Sequence, residues 1–282
     1  AQQLRQTEHL NLAHRTIANL ENIVDDFKER ISTDVQQEVR LSGSFPLFSY
    51  SRVMRAFLHR LDEVWRARSA TWIVVAPGVR MTPIYFRLFS AEKGLGALRV
   101  VDCAEPAAVD EDPMSWIENI VQGLLVLENA HCLTAPTQEQ IVQVLSSKTI
   151  SGQRPFVGQL LFTSCEQPAV LHQRQVLIER FARRVATSTL VHPTLSERSE
   201  DFSSLVHHLL EQHAKRRGIA LAIAAEAVDV LRRCAWPGNE SELDLWLDRA
   251  LSHALDQGVA RIEADLARQL LSATHSATVE GS

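Results

Sequence analysis

No run of about 18 apolar residues occurs in this 282-residue chain, which excludes a membrane-spanning helix. The N-terminus (AQQLRQTEHLNLAHRTIANLEN) is polar and periodic and lacks the apolar stretch of a signal peptide. Cysteine is sparse: Cys103, Cys132, Cys165 and Cys234 stand singly, with no CxxC spacing for zinc or redox chemistry. A reduced, cytoplasmic protein is the expectation. Positive charge is not in excess either. The 29 Lys+Arg face 34 Asp+Glu, a formal charge of −5, which argues against a domain built mainly to hold nucleic acid. GxSxG and HExxH are absent, so hydrolase readings have no support. What remains is ordinary globular composition, 45% hydrophobic and 22% charged, long enough for one large domain or two small ones.

The first forty residues carry a heptad-like seam. Leu10, Ala13, Ile17, Leu20, Val24, Phe27 and Ile31 step by threes and fours, flanked by charged residues such as Asp25, Lys28 and Arg30. Two readings fit: an amphipathic helix lying on its own domain, or a short parallel coiled coil joining two protomers through Ile17, Leu20, Val24, Phe27 and Ile31. Gly43 and Pro46 then break the pattern and mark the start of the globular part.

From there helical and strand patterns alternate. Apolar runs at Thr71–Pro77, Leu98–Asp102, Leu124–Asn129, Gln159–Ser164 and Ser188–His192 read as strands buried on both faces. The stretches between them, around Ser51–Ala67, Pro83–Ala91, Pro113–Val121, Gln138–Leu145 and Gln173–Arg184, have helical spacing. This is an α/β pattern with a parallel sheet covered on each side. Beyond Pro193 the expectation is helices alone, at Phe202–Arg217, Ala224–Arg233, Glu240–Gln257 and Ile262–Leu271, with a frayed tail after them. The implied division is a heptad helix over 1–40, an α/β part over 41–192 and a helical part over 193–282.

Two segments carry a family resemblance. HPTLSERSEDFSSLVHHLLEQH (His192–His213) resembles the passage in sigma-54 activators, the bacterial enhancer-binding proteins, where ERxED opens the lid of an AAA+ domain. CAWPGNESELDLWLDRAL (Cys234–Leu251) is similar to their WPGN-x-x-EL signature. In Trp-Pro-Gly-Asn, Pro237 and Gly238 supply a bend, and Asn239 is the expected cap of the next helix, with Glu242 at its N3 position. VVDCAEP (Val100–Pro106) and GLLVLENAHCL (Gly123–Leu133) resemble the strand-two and Walker B stretches. The resemblance covers about 42–271 and implies an AAA+ α/β domain followed by a helical lid.

It also locates a nucleotide site, and there the residues depart from the pattern. A phosphate-binding loop needs glycines whose consecutive N–H groups curl round the anion, and a lysine on the β/γ oxygens. Its counterpart is Ala76–Pro83. Only Gly78 survives, Thr82 stands at the lysine position, Pro77 and Pro83 remove donors, and Arg80 is left as a lone cation. Walker B ends in Glu128-Asn129 where the family has Asp-Glu, and Asn129 cannot accept a proton. Thr163, or Ser164 beside it, falls at the sensor I position, and the sensor II arginine falls on Ser241. Phosphoryl transfer is mostly electrostatic positioning, so losing these charges together implies a pseudo-ATPase that neither hydrolyses ATP nor needs a cofactor. The stretch Ala104–Gly123 is short and has nothing like the GAFTGA loop that engages sigma-54, and no helix-turn-helix or other DNA-binding motif follows the lid.

The leading expectation is a non-catalytic AAA+ module acting in transcription regulation or signalling through protein contacts, as a homodimer and in company with another AAA+ protein. A rival is a sensor of a cyclic di-GMP type ligand, with Arg52, Arg55, Arg80 and Arg87 recruiting phosphates. A third is an ATPase with an unorthodox site. Arg183 matches a trans-acting arginine finger by position, against the plainer reading of a solvated basic face paired with Glu179. No metal site is expected: His208 and His213 are five residues apart on one helix and cannot face one ion together. Cys132 and Cys165 are expected to be small buried hydrophobes, and Trp236 and Trp246 to sit in the lid core.

Overall fold

A computed structural model describes residues 46–91, 97–105, 112–118, 120, 123–150 and 154–279. The heptad segment and both of its readings lie outside the described residues. The five expected strands form one parallel sheet: β1 (Thr71–Val74), β2 (Leu98–Asp102), β3 (Leu124–Glu128), β6 (Gln159–Ser164) and β7 (Thr189–Val191), in the order β2-β3-β6-β1-β7. A short antiparallel pair, β4 (Thr149–Ile150) and β5 (Arg154–Pro155), lies apart from it.

Strand alternation divides the base core into two layers. Ile73, Leu124, Val126 and Leu161 point to one face, where α1 (Arg52–Arg66) and α2 (Thr82–Ala91) cover them with Phe57, Leu61, Ile84 and Leu88. Trp72, Leu125, Leu127 and Phe162 point to the other. There α3 (Pro113–Glu118), α4 (Ala135–Ser147), α5 (Pro168–Gln173) and α6 (Glu179–Ala186) cover them. The rings of Phe162 and Phe181 meet edge to face at 5.3 Å, and Trp72 stacks on Phe162 at 6.1 Å. A strand with apolar residues on both faces can exist only between two helical layers, which is why these runs were readable.

The lid has a separate core. It is built from α7 (Ser199–Arg216), α8 (Ala225–Arg232), α9 (Asn239–Asp256) and α10 (Ala264–Val279), with Trp236 and Trp246 edge to face at 6.3 Å inside it. Three expectations are corrected. The single helix over Gln173–Arg184 is two, α5 and α6, because Gln175 takes a left-handed conformation (φ 61°) between them. Strands do not stop at Pro193: β8 (Ala222–Ile223) and β9 (Arg261–Ile262) pair in parallel within the lid. The last helix starts at Ala264 and runs to Val279, beyond the expected Leu271.

The ERSED stretch ties the lid to the base. Glu197 completes a capping box with Thr194, and Arg198 forms a buried ion pair with Glu240 on α9. Asp201, fully buried on α7, accepts hydrogen bonds from the Tyr50 N–H (2.5 Å), the Ser51 N–H (3.0 Å) and the Ser51 hydroxyl (2.8 Å). Ser51 in turn is the N-cap of α1 and accepts the Met54 N–H. One lid carboxylate therefore anchors the first helix of the base. Replacing Asp201 with Ala strands these donors in a buried site and should cost about 3 kcal/mol of stability. Ser51→Ala, which removes only the cap and one partner, should cost about 1 kcal/mol. Chemical denaturation of the two variants checks the ranking.

Candidate functional site

In open α/β sheets the carboxyl ends of the strands, at the point where strand order reverses, form the ligand crevice. Here that point is β1, from which the chain goes to the far edge at β2 and returns through β3 and β6. Loop 76–83 leaves β1 at this position. The Ala76 carbonyl accepts the Val79 N–H at 3.2 Å, so the loop turns tightly, and Gly78 holds φ +75°. Met81 is buried in the core, and its carbonyl accepts the N–H groups of Ile84 and Tyr85. Thr82, at the lysine position, is the first residue of α2, with Pro83 next in the same turn.

The lid sits directly on this loop. The Gly78 carbonyl accepts the Ser241 N–H at 3.0 Å, and a Cβ at Gly78 would lie 1.9 Å from the Gly238 oxygen. Asn239 spans three elements. Its amide donates to the Pro77 carbonyl at 2.8 Å, and its side-chain oxygen accepts the Leu195 N–H at 2.8 Å. It holds φ 46°, a left-handed conformation that Asn tolerates better than most residues. The expected capping role is thus corrected: Gly238 is the N-cap of α9, and Asn239 is turned toward the base instead. Glu242 does reach back, accepting the Gly238 N–H at 2.8 Å.

Arg80 donates to Asp244 on α9 at 2.5 Å. The other Asp244 oxygen meets His213 Nε2 at 2.7 Å, and His213 Nδ1 lies 3.1 Å from Asp248, which Arg217 also engages at 2.6 Å. Burial alone would raise the Asp244 carboxyl. The His213 hydrogen bond and the Arg80 charge overcome it and hold the group below the ordinary carboxylate range. His213 is thereby placed between two carboxylates. Among the described residues no cluster of His, Cys, Asp or Glu has metal-holding geometry.

At the neighbouring strand ends, Glu128 and Asp102 are partners in register across β3 and β2. Glu128 accepts the Tyr85 hydroxyl at 2.5 Å. Asn129, also left-handed at φ 50°, donates its amide to Asp102 at 2.8 Å. Thr163 is buried in β6, and the following Ser164 bonds His131 Nδ1 at 3.0 Å. The structure thus joins Gly78, Arg80 and Ser241 across the loop and lid, and sets Glu128, Asn129 and Thr163 on adjacent strands. Arg183 is not part of this group. It lies on α6, 80% exposed, and pairs with Glu179 one turn away at 2.5 Å, which is the solvated-face arrangement.

The arginines proposed for a dinucleotide do not converge. Arg80 pairs with Asp244, Arg87 with Asp62 at 2.7 Å, and Arg55 with the Tyr50 carbonyl. Cys132 and Cys165 are exposed, not buried as expected, because they follow the ends of β3 and β6 and lie outside both covering layers. Asp244, His213 and Tyr85 were not anticipated as site residues. Their roles depend on docking the lid and α2 against the strand ends, and no local spacing announces it.

His192, immediately before the lid, is buried beneath the Phe57 ring at 4.9 Å. Burial first, and then the nearby Arg198 charge, pushes its pKa down to about 3. A histidine held neutral in this way favours the folded state fully only above its unfolded pKa, near 6.5. That contribution should fall away progressively as pH drops from about 6.5 toward 3. Asp244, with its lowered pKa, acts in the same direction at still lower pH. Thermal melts from pH 8 to 4 should show an acid-labile protein, and His192→Phe should flatten the upper part of that curve.

Comparison with known proteins places these features in a family context. Residues 196–282 match the AAA+ ATPase lid domain. The chain is 40% identical over 81 residues to the Nif-specific regulatory protein of Azospirillum brasilense, covering 29% of this chain and 13% of that protein. It is 39% identical over 84 residues to the response regulator protein FleR of Pseudomonas aeruginosa, covering 29% and 17% of the two chains. These curated relatives are thus several times longer than the stretch they share with it. Among solved structures, NtrX from Brucella abortus in complex with ADP superposes with a TM-score of 0.67 at 21% identity, over 90% of this chain and 59% of that one. The Thermotoga maritima RuvB branch migration motor superposes with a TM-score of 0.56 at 12% identity, over 80% of this chain and 69% of that one. These structural likenesses concern the fold.

Proposed function

We propose that the chain is an AAA+ domain with its lid, related to the central domains of sigma-54 activators, and a non-catalytic member acting in transcription regulation through protein contacts. One observation carries the reading: where the fold positions phosphate chemistry, the protein presents Thr82, Asn129 and Ser241, and loop 76–83 is bonded to the lid through Gly78. Catalysis of this kind requires charges preorganised around the γ-phosphate and a group to orient water. Asn129 offers an amide already committed to Asp102. Glu128 is engaged by Tyr85. Neither is arranged as the carboxylate pair of an ATPase. The cyclic dinucleotide reading loses support from the ion-paired arginines, which would have to abandon their carboxylates to gather one ligand.

The expected outcome is no phosphate release from ATP above a buffer control, and no heat on titration with ATP or ADP. Turnover that disappears in Glu128→Gln would overturn the reading and restore an unorthodox ATPase. Binding of cyclic di-GMP without turnover would favour the sensor.

The proposed mode of action is assembly. A subunit that holds no nucleotide cannot use one to bridge a ring, so the apolar seam from Leu10 to Ile31 is left as the element that pairs two chains. A few buried Ile, Leu, Val and Phe side chains per helix, at about 25 cal/mol per Å², suffice for a modest dimer. A second AAA+ protein is the proposed heterologous partner, toward whose nucleotide Arg183 would have to turn away from Glu179. Ile17→Asp combined with Val24→Asp places carboxylates in the seam and should convert a dimer into a folded monomer by light scattering. A dimer that survives both changes would show that the globular faces set the assembly.

A further inference from the structure

The lid-to-loop contact does more than close a cleft. Loop 76–80 keeps two features of an anion site, a left-handed glycine at Gly78 and a guanidinium at Arg80, and both are already engaged by the lid. The anion at Arg80 is the chain's own. Asp244 projects from α9, the helix whose first turn lies against Gly78, and its carboxylate meets Arg80 at 2.5 Å. His213, from α7, holds the second Asp244 oxygen at 2.7 Å and is itself braced by Asp248 and Arg217. Three elements therefore fix the position of that carboxylate, and two further bonds, from Ser241 to Gly78 and from Asn239 to Pro77, join the same surfaces.

We propose that Asp244 serves as an internal anion for loop 76–83, taking in cis the place that a phosphate group takes in a nucleotide-loaded relative, so that base and lid are held together without nucleotide. The inference rests on the non-catalytic reading in one respect: a loop filled by its own lid has no vacancy for a triphosphate. It goes beyond that reading by assigning the closed arrangement to specific charges. The consequence is mechanical. A protein partner that pulls or pushes on the lid also moves loop 76–83 and, through Asp201 and Ser51, the start of α1. The module then transmits motion as one body instead of opening and closing with each nucleotide.

Amide hydrogen exchange on the full chain tests this directly. In the unaltered protein the Ser241 and Asn239 amides should be protected, and millimolar ATP or inorganic phosphate should leave that protection unchanged. Asp244→Ala and Arg80→Ala should each speed exchange across 238–242 by about tenfold, the range of one charge-assisted hydrogen bond, while β3 and β6 stay protected. The double variant should be no faster than either single one, because both remove the same contact. Millimolar inorganic phosphate should restore protection in Asp244→Ala, where Arg80 remains to receive it, and should not in Arg80→Ala. Wild-type protection in both single variants, additive effects in the double variant, or absence of phosphate rescue would each overturn the proposal. Should Asp244→Ala fail to fold, Asp244→Asn, which keeps the shape and loses the charge, answers the exchange question in its place. ATP turnover in the unaltered protein would instead defeat the non-catalytic reading, and that outcome is read in a separate assay.

Discussion

The carbonyl of Gly78 accepts the amide of Ser241, and around that main-chain bond the two cores of the molecule meet at the strand ends. A backbone-to-backbone contact between a β1 loop and a lid helix requires an approach that no side chain can intervene in. Gly78 meets the requirement twice, through its positive φ and through the absence of a Cβ that would otherwise lie 1.9 Å from the Gly238 oxygen. Gly238 is crowded from within the lid instead, since a Cβ there would meet the Glu242 side chain at 2.8 Å. Gly78 therefore serves a protein contact here. The same freedom that lets a backbone cradle an anion lets it receive another backbone.

This changes what the WPGN signature means physically in this chain. Read locally, it is a turn and a cap. In the folded molecule Gly238 takes the cap position, which releases the Asn239 side chain to bond Pro77 on the base and Leu195 at the lid's entry. Only a residue with both a donor and an acceptor on a short side chain can join those two groups at once. The ERSED stretch supplies the complementary ties: Arg198 to Glu240 within the lid, and Asp201 back to Ser51 at the start of α1. Two separate strings of sequence thus encode one interface from its opposite sides.

How much of this could be read in advance follows from the range of each interaction. β3 and β6 were legible because Leu124 to Leu127 and Leu160 to Phe162 are buried between the two helical layers, which leaves uninterrupted apolar runs. The break at Gln175 was not, because the apolar spacing from Val170 to Val185 runs through it and only the backbone reveals the turn. The two-residue strands β8 and β9 are too short to show any period. At the site, the substitutions at Thr82, Asn129 and Ser241 were visible as letters in a known pattern. Their replacement was not. Arg80 and Asp244 are 164 residues apart, and nothing in either neighbourhood implies the other.

The charges at the lid-to-loop contact pose a physical problem of their own. Loop 76–83 contains a cation, Arg80, and half-buried cations are costly without a partner. The carboxylate that meets it comes from the protein itself, from a helix that already lies near the loop. Asp244 on α9 is placed to meet the need, and His213 keeps it there by engaging the second oxygen. Closing the lid over loop 76–83 therefore also satisfies the charge balance at Arg80.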